Sequence, residues 1–112
     1  MQTVFVSLDP GSASQLIQNE IVGRNITGTV IDNYLVPVDN THFVAVLVLE
    51  KHYYRAGNRL TLTVTLDNML GGKTRVHTCA GGGGEGLFRF DWGASESFEE
   101  SVVKILRPYI AY

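Results

Sequence analysis

Few residues in this chain have the type and spacing to carry chemistry. His42, His52 and His77 share no spacing that sets two imidazoles on one metal ion. Cys79 is the single cysteine, so no disulfide closes within the chain and no cysteine cluster holds zinc. Cys79 stands two residues from His77, and in a strand that puts both on one face about 7 Å apart, the reach of a thiol–imidazole pair. No third group orients the imidazole and no oxyanion donors are recognisable. A half-buried structural thiol is the simpler reading. The sequence carries no pair of catalytic carboxylates, no Ser-His-Asp set and no cofactor fingerprint. These absences lean away from an enzyme and lead us to expect no cofactor and no metal.

The run Gly81-Gly82-Gly83-Gly84-Glu85-Gly86 is the most unusual stretch. Backbone N–H groups in such a loop cradle anions when a helix starts directly after them. Here Leu87 to Trp92 intervenes, the Gly-Lys-Ser/Thr ending of a phosphate loop is missing, and Glu85 would repel a phosphate. A bulged crossing at a sheet edge accounts for the run better than nucleotide binding does. Tyr53, Tyr54 and Arg55, with Arg59 across a hairpin, gather aromatic and cationic groups at one strand end, as partner-binding surfaces do. A strand leaving the core gives the same pattern, with Lys51 and Tyr53 laid over it. Trp92 stands where it would anchor the last helix.

Elements of ordinary globular composition must position these residues. The chain has 112 residues, 45% hydrophobic and 18% charged, which fits a single domain over residues 1–112 with one core. Nine Lys+Arg against eleven Asp+Glu give a net charge of -2 and remove the generic electrostatic case for nucleic acid. The longest strongly apolar run, Phe43 to Leu49, is too short to cross a bilayer as a helix. With no basic segment leading into an apolar one near Met1, the expected address is the cytoplasm, away from any membrane.

Val4, Val6 and Leu8 form a first strand. Asp9-Pro10, or Ser12 as the competing cap a turn later, then opens a helix carrying Ala13, Leu16, Ile17 and Ile21 on one side, with Gly23 as its expected left-handed end. From Arg24 the period shortens to two, and Ile26, Val30 and Tyr34 are expected on one face of a long strand. Pro37 to Asn40 is a turn, and His42 to Tyr54 a second long strand. Leu60, Leu62, Val64 and Leu66 alternate cleanly with Thr61, Thr63, Thr65 and Asp67. A three-residue loop at Leu70 to Gly72 sets Val76 opposite Leu66 and Arg75 opposite Asp67. A two-residue turn would instead face Val76 with Asp67. Leu87 to Trp92 reads as a short closing strand. Phe98, Val102, Ile105, Leu106, Tyr109 and Ile110 form the stripe of a last helix, with Ser97 and Glu100 as its capping box, Ser95 as an earlier alternative start, and Pro108 disturbing its final turn.

The predicted order is β-α-β(4-5)-α: an α+β two-layer sandwich, with an antiparallel meander sheet and a long C-terminal helix packed on one face. That order resembles the TATA-binding-protein-like, or helix-grip, architecture, a likeness that carries no function. The strand from His42 holds an anomaly. With Phe43, Ala45, Leu47 and Leu49 facing the helices, Val44, Val46 and Val48 face the other way, beside Thr61, Thr63, Thr65, His77 and Cys79. An open face normally alternates more strictly, and the valine row suggests one covered by a second copy, a homodimer. The alternative is a small apolar-ligand carrier, with a pocket between sheet and last helix rimmed by Tyr34, Tyr53, Phe90 and Tyr109.

Three stretches carry a wider resemblance: Val46-Leu-Val-Leu-Glu-Lys-His-Tyr-Tyr-Arg55, Asn58-Arg-Leu-Thr-Leu-Thr-Val64, and Gly81 through Trp92-Gly-Ala-Ser-Glu-Ser-Phe98. With the Leu8-Asp9-Pro10 start, they make the chain similar to a family of small bacterial proteins grouped as a domain of unknown function. The resemblance implies no activity and transfers no functional residue.

Overall fold

A computed structural model describes residues 1–23, 28–53, 58–82 and 94–111. Strand β1 (Gln2–Val6) leads into α1 (Pro10–Gly23). Four strands follow, β2 (Gly28–Pro37), β3 (Phe43–Tyr53), β4 (Asn58–Asp67) and β5 (Thr74–Gly82), before α2 (Ala94–Leu106). The sheet is antiparallel throughout and ordered β1-β5-β4-β3-β2, so the predicted meander is present and β1 joins it beside β5. The closing strand expected at Leu87 to Trp92 lies outside the described residues. No helix among the described residues is long and apolar enough to cross a membrane.

Local chemistry accounts for the ends of the elements. The Asp9 carboxylate accepts the Ser12 N–H at 3.0 Å and caps α1, and Pro10 occupies the first helical position, where an N–H is not needed. The helix runs through Gly23, which stands in its last turn instead of after it. α2 begins at Ala94, so Ser97 lies inside the helix, where its carbonyl accepts the Ser101 hydroxyl. Glu100 pairs with Arg107 at 3.0 Å, and no capping box forms at Ser97. Pro108 falls in a 3-10 turn, Arg107–Tyr109, that ends α2 and turns the chain back to the sheet. There Ile110 bridges Val6, the Ser7 N–H donates to the Tyr109 carbonyl, and the Ala111 N–H donates to the Phe5 carbonyl. The C-terminal segment thus occupies the outer edge of β1.

The core lies between the sheet and the two helices. Leu47, Leu49, Leu60, Leu62, Val64, Leu66 and Val76 meet Ile17, Ile21, Phe98, Val102 and Leu106, all buried. Each such side chain contributes roughly 1.5–3 kcal/mol by leaving water. The register matches the pairing argument: Leu66 faces Val76, Asp67 faces Arg75, Thr65 faces His77 and Thr63 faces Cys79. The connection is wider than three residues, because the ladder stops at Asp67 and β5 resumes at Thr74. Asn68 explains the early stop. Its side chain accepts the Phe43 N–H and donates to the Thr41 carbonyl, fastening this loop to the neighbouring one. Gly71 and Gly72 take positive φ values of 78° and 76° there.

β2 departs from the expected alternation. Val30 pairs with Leu49, but Asp32, not Ile31, pairs with Val48, a bulge that leaves Ile31 unpaired. One inserted residue reverses the faces beyond it. Val30, Asn33 and Leu35 therefore share the helical side, while Asp32, Tyr34 and Val36 join the valines of β3. The Ser14 hydroxyl of α1 meets Asn33 Oδ1 at 3.3 Å, in keeping with that assignment.

Candidate functional site

The sheet face away from the helices collects most of the described residues with functional potential. Three rows cross it. Phe5, Arg75, Asp67, Val44 and Val36 stand side by side on successive strands; Thr3, His77, Thr65, Val46 and Tyr34 form the second row; Cys79, Thr63, Val48 and Asp32 form the third. The face is thus divided. Toward β2 and β3 it is mostly apolar, with Val36, Val44, Val46 and Val48 partly exposed and Tyr34 59% exposed, and the exposed Asp32 stands beside Val48 at one end. Toward β4, β5 and β1 it is polar and cationic. Ile31 in β2 and Val38 just after it are also at least half exposed along the sheet edge, as is Leu35 on the opposite, helical side.

The polar half is concave. A depression of about 580 Å³ is lined by Thr3, Phe5, Thr65, Asp67, Arg75 and His77. Arg75 Nε donates to Asp67 Oδ2 at 3.0 Å and its Nη2 to Oδ1 at 3.2 Å, a two-point fork that fixes the guanidinium plane. Asp67 is buried and also accepts the Met69 N–H. His77 Nδ1 lies 2.9 Å from the Thr3 hydroxyl, which orients the ring. Lys73 Nζ sits 5.0 Å from the centroid of the Phe5 ring.

The structure brings Val44, Val46, Val48, His77 and Cys79 onto this one face, and Arg59 stands exposed at the far end of β4. Cys79 is exposed, in contrast to the half-buried thiol expected, because no element among the described residues packs over β5 on that side. Position 53 ends β3, while the side chains of His52 and Tyr53, and all of Tyr54, Arg55, Glu85 and Trp92, lie outside the described residues. Among the described residues no group of three or more His, Cys, Asp or Glu is placed to hold a metal ion. His42 belongs to the β2–β3 turn, where its Nδ1 lies 2.8 Å from an Asp39 oxygen. Tyr34, proposed as part of a rim between sheet and last helix, faces away from the helices because of the Ile31 bulge.

One functional-looking group had no counterpart in the sequence reading. Glu99 is buried at 3% exposure on the helical side. Its carboxylate accepts the Met1 ammonium, the Thr78 hydroxyl at 3.0 Å and the Ala80 N–H at 3.2 Å. Burial alone would raise its pKa. The ammonium, the Thr78 hydroxyl and the Ala80 N–H together outweigh that and hold the carboxyl below its ordinary range. Glu99 stands at i with Val102, Val103 and Leu106 at i+3, i+4 and i+7, so its core spacing was the available signal.

A family model described as "Family of unknown function (DUF6054)" matches residues 3–110 of the chain. No curated protein and no solved structure matches it.

Proposed function

We propose, for a chain that belongs to this family of unknown function, a non-enzymatic interaction module that pairs with a second copy of itself through the apolar half of its open sheet face. One observation carries the reading: the row Val44, Val46, Val48 on β3. The other side of this strand is already buried against the helices through Ala45, Leu47 and Leu49. A strand with one face solvated is expected to alternate apolar with polar, and this one is apolar on both faces over the seven successive residues Phe43 to Leu49. Tyr34 and Val36 extend the row onto β2 beside Val46 and Val44, and Asp32 beside Val48 bounds it at the other end. A two-fold axis over this half sets valine row against valine row, the self-complementary packing of an isologous dimer.

The test is the molar mass of the full chain in solution across a concentration series, read by light scattering. The reading expects the mass to rise from the 12.3 kDa of one chain toward twice that value. Val46→Lys puts an ammonium at the centre of the contact and should weaken association at least about thirty-fold, the scale of losing a central contact of ~2 kcal/mol. Thr61→Lys, outside the apolar half, should leave association unchanged. A chain that stays at the monomer mass at the highest concentration removes the reading, as does a Val46→Lys variant that associates as before.

A further inference from the structure

The concave, polar half of the open face has its own chemistry, separate from the valine row. We propose that the depression lined by Thr3, Phe5, Thr65, Asp67, Arg75 and His77 is a binding site for a small organic anion, a carboxylate or phosphate carried on a flat apolar body. The groups it presents are mostly donors. Asp67 occupies the Nε and Nη2 edge of Arg75 and leaves the Nη1 hydrogens outside the fork, on a guanidinium already fixed in plane. The one carboxylate in the depression is thereby spent on Arg75 and on the Met69 N–H. A His77 ring whose Nδ1 accepts from the Thr3 hydroxyl carries its proton on Nε2, a further donor. The Thr65 hydroxyl stands beside His77 on the neighbouring strand.

Charge points the same way. Asp67 offsets the charge of Arg75, and Lys73, over the Phe5 ring at the margin of the depression, adds a second cation. Phe5 supplies the flat surface that a planar apolar body would lie against. The volume, about 580 Å³, falls within the usual range for small-molecule sites. The inference does not rest on self-association, since none of the depression's lining residues belongs to the valine row.

Titration of the full chain with benzoate, phenyl phosphate, benzyl alcohol and benzylamine, followed by amide and side-chain NMR shifts, tests it. Benzoate or phenyl phosphate should shift Thr3, Thr65, Arg75 and His77 saturably below about 10 mM, while the alcohol and the amine should not. Tighter binding of phenyl phosphate assigns a phosphate ligand, and tighter binding of benzoate a carboxylate; either result supports the site. Lys73→Gln should weaken the anion about two- to five-fold, the effect of one exposed charge. His77→Gln, with its melting temperature checked against the parent chain, should weaken it as well. Equal binding of the alcohol or the amine overturns the proposal. So do anion shifts spread evenly over the molecule, or affinities unchanged in both variants.

Discussion

Replacing Glu99 with glutamine tests the most buried charge described. The side chain keeps its size, but its amide group must then face donors, since Met1 ammonium, Thr78 hydroxyl and Ala80 N–H all converge on the carboxylate. A hydrogen bond to a charged group contributes roughly 1.5–3 kcal/mol, and removing one partner of a buried pair costs up to about 5. The Met1 end of this pair is solvent-exposed, at 71%, which places the expected loss near the lower figure, about 2 kcal/mol at neutral pH. In a domain of this size that lowers the melting temperature by roughly 10 °C. The sign of the pH dependence follows from a folded-state pKa below the ordinary value of 4.5. Such a group's stabilisation is fully present above the unfolded pKa and lost as pH falls through the folded one. Thermal melts of Glu99→Gln and the parent chain should therefore differ at neutral pH and converge in acid, as pH falls through the lowered folded-state pKa. Equal stability at neutral pH, or curves that stay parallel into acid, would refute the reasoning.

Other perturbations follow from single contacts. Thr74 is wholly buried and its hydroxyl has no partner among the described residues, so Thr74→Val should stabilise the chain by about 1 kcal/mol in chemical denaturation, and a loss of stability would show the hydroxyl to be satisfied. Gly28 begins β2 directly over α1, where an added Cβ would strike the buried Ile21 Cγ2. Gly28→Ala should cost roughly 1–3 kcal/mol, measured the same way, and a neutral result would place the strand farther from the helix. The Asp39 carboxylate accepts the Thr41 N–H, interacts with the His42 ring and accepts the His42 N–H, and these bonds hold its pKa at about 2. Its carbon-13 titration should show that midpoint, and a midpoint near 3.8 would mean that the turn opens in solution.

The parts of the fold legible from sequence were those in which neighbouring residues decide the outcome. Leucine–threonine alternation over residues 60–66 settled which side of β4 is buried, and the need to face Arg75 with Asp67 settled its register on β5. Asp9 before Pro10 marked the start of α1 by the same local logic. What was not legible depends on distant partners. The bulge at Ile31 leaves no mark in an alternation where Val30 and Tyr34 both read as apolar, yet it moves Tyr34 to the opposite face. The wider loop after Asp67 comes from Asn68 reaching Phe43 and Thr41, a contact across 25 residues and more. The role of Glu99 was not legible because its partners arrive from β5 and from Met1. In the candidate site, the valine row was readable from one strand alone. The pairing of Thr3 with His77 was not, because it needs β1 beside β5.

Self-association through the valine row is the claim on which the functional account depends, and isotope-filtered NOE spectroscopy on a mixture of labelled and unlabelled chains tests it at the residues concerned. The account predicts intermolecular contacts from the methyl groups of Val44, Val46 and Val48 to the same valines and to the Tyr34 ring of the second copy. Intermolecular contacts confined to other surfaces, or none at concentrations where the valine methyls are fully resolved, would contradict it.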